Sequence, residues 1–197
     1  MKQHSLFTLL LASILVIGLS TCRSNDDDGS NSLFFELRHD QGNITAPSLQ
    51  QGTNELAARF TRSDISEVVG GQLERVQVFL QRIPSRIDVV IYDEGTENAP
   101  GQVLFTQNVT GNVTTTGLQE FRLSTPVTLA DREIWISARV VADQEGERIV
   151  GCDAGPAQTG GDHILLSRNF DWNTFRNLSG GAESVNWNIR GIIRRPE

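Results

Sequence analysis

The stretch Val185-Asn186-Trp187-Asn188-Ile189-Arg190-Gly191-Ile192 alternates apolar residues with Asn and Arg. A period of two is that of a half-buried strand, because successive side chains point to opposite faces of a sheet. Val185, Trp187, Ile189 and Gly191 form the apolar face, and Asn186, Asn188 and Arg190 project from the polar one.

The same signal recurs upstream. Leu56, Ala58 and Phe60 alternate with Ala57, Arg59 and Thr61, and Ile87, Val89 and Ile91 mark the inward face of a run ending at Tyr92. Leu73 to Leu80 is a further β-rich run. It is separated from the next by Arg82-Ile83-Pro84-Ser85, because Pro84 cannot continue a central strand. A turn at Asn98-Ala99-Pro100-Gly101 leads into Val103 to Val109. Leu118 to Leu123 alternates again, Thr125-Pro126 turns the chain, and Glu133 to Val141 makes a long apolar strand carrying Trp135. Ile149 to Cys152 and His163 to Ser167 complete the set, with a Gly/Pro-rich loop from Asp153 to Asp162 between them. Ser63 to Glu67 reads as one helical turn, with Ser63 or Asp64 as its cap. Short strands about 8–12 residues apart, with no long helical period, predict an all-β jelly-roll β-sandwich.

The chain opens with Lys2 and His4, runs through an apolar Leu6 to Leu19 and reaches small residues before Cys22, the pattern of an export signal. The apolar run is shorter than the about 20 residues of a membrane span and ends in an acidic patch. The domain reading is therefore signal peptide 1–21, tether 22–53 and sandwich 54–195, with Phe34-Phe35 expected to dock on the domain. Removing residues 1–21 takes away Lys2 and leaves 16 basic residues against 24 acidic ones, a formal charge of −8. Such a surface repels phosphate backbones, and no basic stripe with interleaved aromatics appears, so nucleic acid is excluded as a partner.

Leu19-Ser20-Thr21-Cys22 resembles a bacterial lipobox, which implies lipidation of Cys22 and a membrane partner. Asp26-Asp27-Asp28 is similar to the acidic export signal of surface lipoproteins in one Gram-negative phylum, which implies an outer-membrane location facing the cell surface. Ile91-Tyr92-Asp93-Glu94-Gly95, Gly151-Cys152-Asp153-Ala154-Gly155-Pro156 and Asn186-Trp187-Asn188-Ile189-Arg190-Gly191 look like pieces of the cleaved-adhesin type of jelly roll. Such modules resemble the adhesin domains that accompany gingipain proteases and share the galactose-binding-like sandwich. Leu118 and Gln119 stand where many relatives place a tryptophan. The resemblance implies a non-catalytic surface module for a glycan or protein ligand, or else a structural accessory subunit of an envelope complex.

Candidate chemistry is sparse. With Cys22 committed to lipid, Cys152 has no disulfide partner in its own chain. Paired with His163 it could act as a thiol nucleophile, but no orienting residue accompanies the two, and a buried cysteine acting as a small hydrophobe is the commoner case. Asp153 and Asp162 bracket a Gly-rich loop and Asp93 sits in another, which makes them candidate ligands for a structural calcium. Trp172, in a loop-like segment with Phe170 and Phe175, is a candidate sugar-stacking residue, whereas Trp135 and Trp187 are expected in the core. Asn186, Asn188 and Arg190 are candidates for a shallow polar site.

Overall fold

The computed structural model describes residues 32–196. The signal segment, Cys22 and the acidic run Asp26 to Asp28 lie outside them. Two antiparallel sheets face each other. The first contains β1 (Phe34–Leu37), β3 (Gln72–Leu80), β6 (Gly117–Thr128) and β10 (Ile189–Arg194), in the order β1-β10-β3-β6. The second contains β2 (Gly52–Phe60), β4 (Arg86–Tyr92), β5 (Val103–Asn108), β7 (Ile134–Ala142), β8 (His163–Leu165) and β9 (Asn173–Thr174), in the order β5-β4-β7-β2-β8-β9. The chain passes from sheet to sheet at almost every connection in its first half, which is how a jelly-roll sandwich is wound.

The alternation read from the sequence places the core. Leu56, Ala58 and Phe60 of β2, Ile87, Val89 and Ile91 of β4, Ile136, Ala138 and Val140 of β7, and Val76, Val78 and Ile189 from the opposite sheet form one buried cluster with Trp187. Each such side chain contributes about 1.5–3 kcal/mol by leaving water. Along the open side, Gln107 ties the sheets together: its Nε2 donates to the Arg122 carbonyl at 3.2 Å and its Oε1 accepts from the Ser124 amide at 2.8 Å.

Four local expectations are corrected. The segment assigned to a tether up to residue 53 enters the sandwich much earlier: β1 pairs with β10, and Leu37, Ala46 and Leu49 are buried. The polar residues that suggested a linker are consumed by partners elsewhere in the chain. Thr125-Pro126 is no turn; β6 continues through it to Thr128, with the register shift against β3 lying between the pairs Leu73–Val127 and Arg75–Arg122. Pro126 is tolerated because β6 is an edge strand. The helical turn is α1 (Arg62–Ile65), and its cap is Thr61 rather than Ser63 or Asp64. Thr61 Oγ1 accepts from the Asp64 amide, and the Thr61 amide donates back to the Asp64 carboxylate at 2.7 Å, a reciprocal capping box. Ile149 to Cys152 makes isolated bridges to Leu80, Thr45 and Trp187 instead of a strand.

Candidate functional site

The face of the six-stranded sheet turned away from the core is polar and aromatic. Glu55, Ala57 and Arg59 of β2 lie opposite Arg139, Ser137 and Trp135 of β7, which lie opposite Asp88, Val90 and Tyr92 of β4. Glu55 organises this grid. Its Oε1 accepts from Tyr92 Oη at 2.6 Å and Ser137 Oγ at 2.5 Å, and its Oε2 accepts from Arg139 Nε at 2.8 Å. Burial pushes the Tyr92 phenol pKa up, and the Glu55 carboxylate beside it pushes the same way.

One row further along, Glu133 accepts from Arg59 Nη2 at 2.7 Å, from Trp135 Nε1 at 3.2 Å and from the Gly95 amide at 3.2 Å. Burial opposes the charge on Glu133, but these donors outweigh it and hold the carboxyl below its usual pKa. Trp172 leans edge-on against both Tyr92 and Trp135, with ring centres at 6.4 and 6.2 Å. His163 packs on Trp135 at 4.4 Å, and its Nδ1 is buried without a hydrogen-bond partner among the described residues. Burial, reinforced by the nearby Arg59 charge, pushes the His163 pKa down to about 4.

Beside this aromatic wall a cleft of about 310 Å³ opens where β2, the loop ahead of β8 and α2 (Phe175–Leu178) meet. The loop is held from below. Asp153 Oδ1 accepts from the Asn186 amide at 2.7 Å and from the Gly155 amide at 2.8 Å, and Asn186 Oδ1 accepts from the Gln158 amide at 2.7 Å. Gly160 then presses on β2: its carbonyl accepts from the Arg59 amide at 2.8 Å. A Cβ on Gly160 would sit 2.4 Å from the Arg59 carbonyl oxygen, and φ is +89°, so the approach requires glycine.

Asp162 fixes the far wall, accepting from the Arg176 amide at 2.9 Å, while Thr174 caps α2. Burial raises the Asp162 carboxyl pKa, with the Arg176 amide bond opposing. Arg176 and Asn177 present exposed donors at this cleft and Glu97 an exposed carboxylate, whereas Arg59 lines it with Nε and Nη2 engaged by Glu133, Gln158 with Nε2 donating to the His39 carbonyl at 3.0 Å, and Asp162 is 4% exposed.

The residues singled out from the sequence divide. Trp172 is partly buried on the sheet face, at the edge of the aromatic wall. Asn186 and Asn188 are 1% and 0% exposed and cannot line a surface site. Asn186 serves Asp153, and Asn188 Nδ2 donates to Asp40 at 2.8 Å. Arg190 is likewise occupied, binding Asp40 through Nε at 2.9 Å and Nη2 at 2.7 Å, and Glu36 at 3.0 Å. Asn188 and Arg190 thus clasp the N-terminal segment to the last strand, while Asn186 holds the loop that begins at Asp153.

The proposed calcium ligands do not gather either. Asp93 pairs with Arg132 at 2.6 Å, Asp153 is spent on Asn186, and among the described residues no three His, Cys, Asp or Glu side chains are placed to hold a metal ion. Cys152 is buried, and burial pushes its thiol up to about 12, far from the thiolate a nucleophile needs. Trp187 lies in the core as expected, packed on Phe175 at 5.4 Å; Trp135, although fully buried, lies on the outer face beneath Trp172. The sequence reading missed Arg59, Gln158 and Arg176, and also the Glu55–Tyr92–Ser137–Arg139 network. The alternation of Trp135, Ser137 and Arg139 with Ile134, Ile136 and Ala138 carries the signal for that network.

The fold and the cleft define a β-sandwich with a polar pocket at one edge of its larger sheet. Among solved structures it is similar to the cysteine protease and lectin-like domains of Cwp84, a surface layer associated protein of Clostridium difficile, with a TM-score of 0.55 and 13% identity over 74% of this chain and 33% of that one. It is also similar to the clostridial Cwp84 protease after propeptide cleavage, with a TM-score of 0.60 and 10% identity over 84% of this chain and 41% of that one. The chain thus spans well under half of these proteins, and the likeness is one of fold. No protein-family model matches the chain, and comparison with curated proteins finds no match. Among the described residues no helix is long and apolar enough to cross a membrane.

Proposed function

We propose that the chain is a lipid-anchored cell-surface module that binds a glycan in the cleft between Arg59, Gln158, Asp162 and Arg176, and performs no reaction on it. The observation that carries this reading is the make-up of the cleft. Two carboxylates, the exposed Glu97 and the buried Asp162, two guanidinium groups and side-chain amides surround about 310 Å³ beside an aromatic wall. Vicinal sugar hydroxyls need acceptors and donors side by side: the exposed Glu97 carboxylate can accept, Arg176 can donate and the Asn177 amide can do both, with Asp162 holding the Arg176 backbone in place behind them. The volume lies at the small end of ligand sites and suits the terminal unit of a glycan. The lipobox at Cys22, the acidic run behind it and the adhesin-like motifs support a surface location, and the lectin-like description of a structural neighbour is in keeping with it.

The test uses the full chain with Cys22→Ala, which is expected in the soluble fraction while the native chain stays with membranes. On a glycan array this protein is expected to give a defined set of signals. Arg176→Ala, at an exposed side chain, is expected to weaken them at least tenfold with the melting temperature unchanged. An empty array, with a stoichiometric envelope protein co-purifying from membranes, would replace this reading with that of an accessory subunit.

A further inference from the structure

A second pocket, of about 300 Å³, shares no lining residue with the glycan cleft although α2 borders both, and lies between the N-terminal segment Thr45–Ser48 and the chain around Val185. Its floor is apolar and fixed. Ala46, Pro47, Cys152 and Val185 are all buried, and Phe175 is braced from behind by Trp187. The segment cannot drift from the floor, because the Ile44 amide donates to the Cys152 carbonyl at 2.9 Å and the Cys152 amide donates to the Thr45 carbonyl at 2.7 Å.

The rim is charged, with one group of each sign. Arg148 and Glu183 both line the pocket and both are exposed. The Arg148 guanidinium makes a single hydrogen bond among the described residues, to Thr45 Oγ1 at 3.3 Å. Both charges are felt at the floor: after burial and the Asp153 charge, which push the Cys152 thiol pKa up, Glu183 raises it further and Arg148 lowers it.

An apolar floor with opposite charges at its rim is complementary to one kind of small molecule. We infer that this pocket binds a short zwitterionic peptide with an apolar side chain, the side chain entering between Pro47, Phe175 and Val185, the carboxylate meeting Arg148 and the ammonium meeting Glu183. A neutral sugar would waste the apolar floor, and a fatty chain would leave Glu183 facing nothing. The occupant is therefore distinct in chemistry from that of the glycan cleft.

The probe is the dipeptide Leu-Leu, titrated into the ¹⁵N-labelled full chain carrying Cys22→Ala, with amide shifts read by NMR. Saturable shifts are expected at Thr45, Ala46, Cys152 and Val185, and none at Gln158 or Gly160. Arg148→Ala and Glu183→Ala alter exposed side chains and leave the fold intact, and each is expected to weaken binding about tenfold, the size of one charge-assisted contact. N-acetyl-Leu-Leu amide, which has no end charges, is expected to bind at least tenfold more weakly than Leu-Leu. The inference is overturned if Leu-Leu shifts no amide of the pocket, if the blocked peptide binds equally well, or if neither substitution changes the affinity.

Discussion

Removing the Asp40 carboxylate should loosen the N-terminal segment ahead of β2, and the size of the effect follows from the geometry. The Asp40 side chain is fully buried and accepts from Arg190 Nε and Nη2, Asn188 Nδ2 and the Gly42 amide. Asp40→Ala leaves the Arg190 guanidinium, itself 13% exposed, without its principal counter-ion, and leaves the Asn188 amide buried without its acceptor. Breaking a buried pair by removing one partner costs about 3–5 kcal/mol. For a domain of this size that is a fall in melting temperature of about 6–20 °C, at about 2–4 °C per kcal/mol.

The assay is urea unfolding of the Cys22→Ala chain, comparing Asp40→Ala, Arg190→Met and the double variant. The double variant should be less unstable than the sum of the singles, since it leaves no orphaned charge. The pH dependence supplies a second reading. Burial raises the Asp40 pKa, but the hydrogen bonds from Arg190 and Asn188 and the Arg190 charge prevail, and the folded value lies below the ordinary 3.8. The unfolded chain therefore takes up the proton first. The stabilisation is complete above about pH 4 and is lost as pH falls through the lowered folded value. A loss under about 1 kcal/mol for Asp40→Ala, far below the cost of orphaning a buried charge, or additive single variants, would refute the clasp and return Arg190 to the list of ligand-binding candidates.

His163 has the opposite charge type but the same sign of pH dependence. Its folded pKa of about 4 lies below the ordinary 6.5, so the unfolded state holds more protons between those values and stability falls as pH drops from 6.5 through 4. His163→Gln should flatten that stretch of the stability curve, and an unchanged slope would show that the imidazole is not desolvated. Cys152, with its thiol pushed up to about 12, should resist alkylation at pH 8 in the folded chain and react on addition of denaturant; rapid modification of the native protein would contradict its burial.

What the sequence disclosed depended on how far apart the interacting residues lie. The strands were legible because alternation is local: Ile87, Val89 and Ile91 announce an inward face within five residues, and the structure buries all three. The fate of Asn186 and Asn188 was not legible, because it is set by Asp153 and Asp40, 33 and 148 positions away. Alternation alone says that such residues face away from the apolar side, not that another segment covers them. The same reasoning hid β1, whose polar neighbours resembled a tether until Arg190 and β10 supplied their partners. Trp135 shows a partial success, since its burial was foreseen but the face on which it is buried was not.

The pairing of β1 with β10 also has a mechanical meaning. Any tension reaching the domain through the chain before Ser32 arrives first at the four residues of β1, whose backbone bonds to β10 can break in succession. Peeling would then meet Asp40, where further extension requires a buried carboxylate and its guanidinium to be pulled apart into water. The clasp stands as a catch behind a short zipper, so a domain pulled from its N-terminal end would yield a few residues of slack under load and then stop.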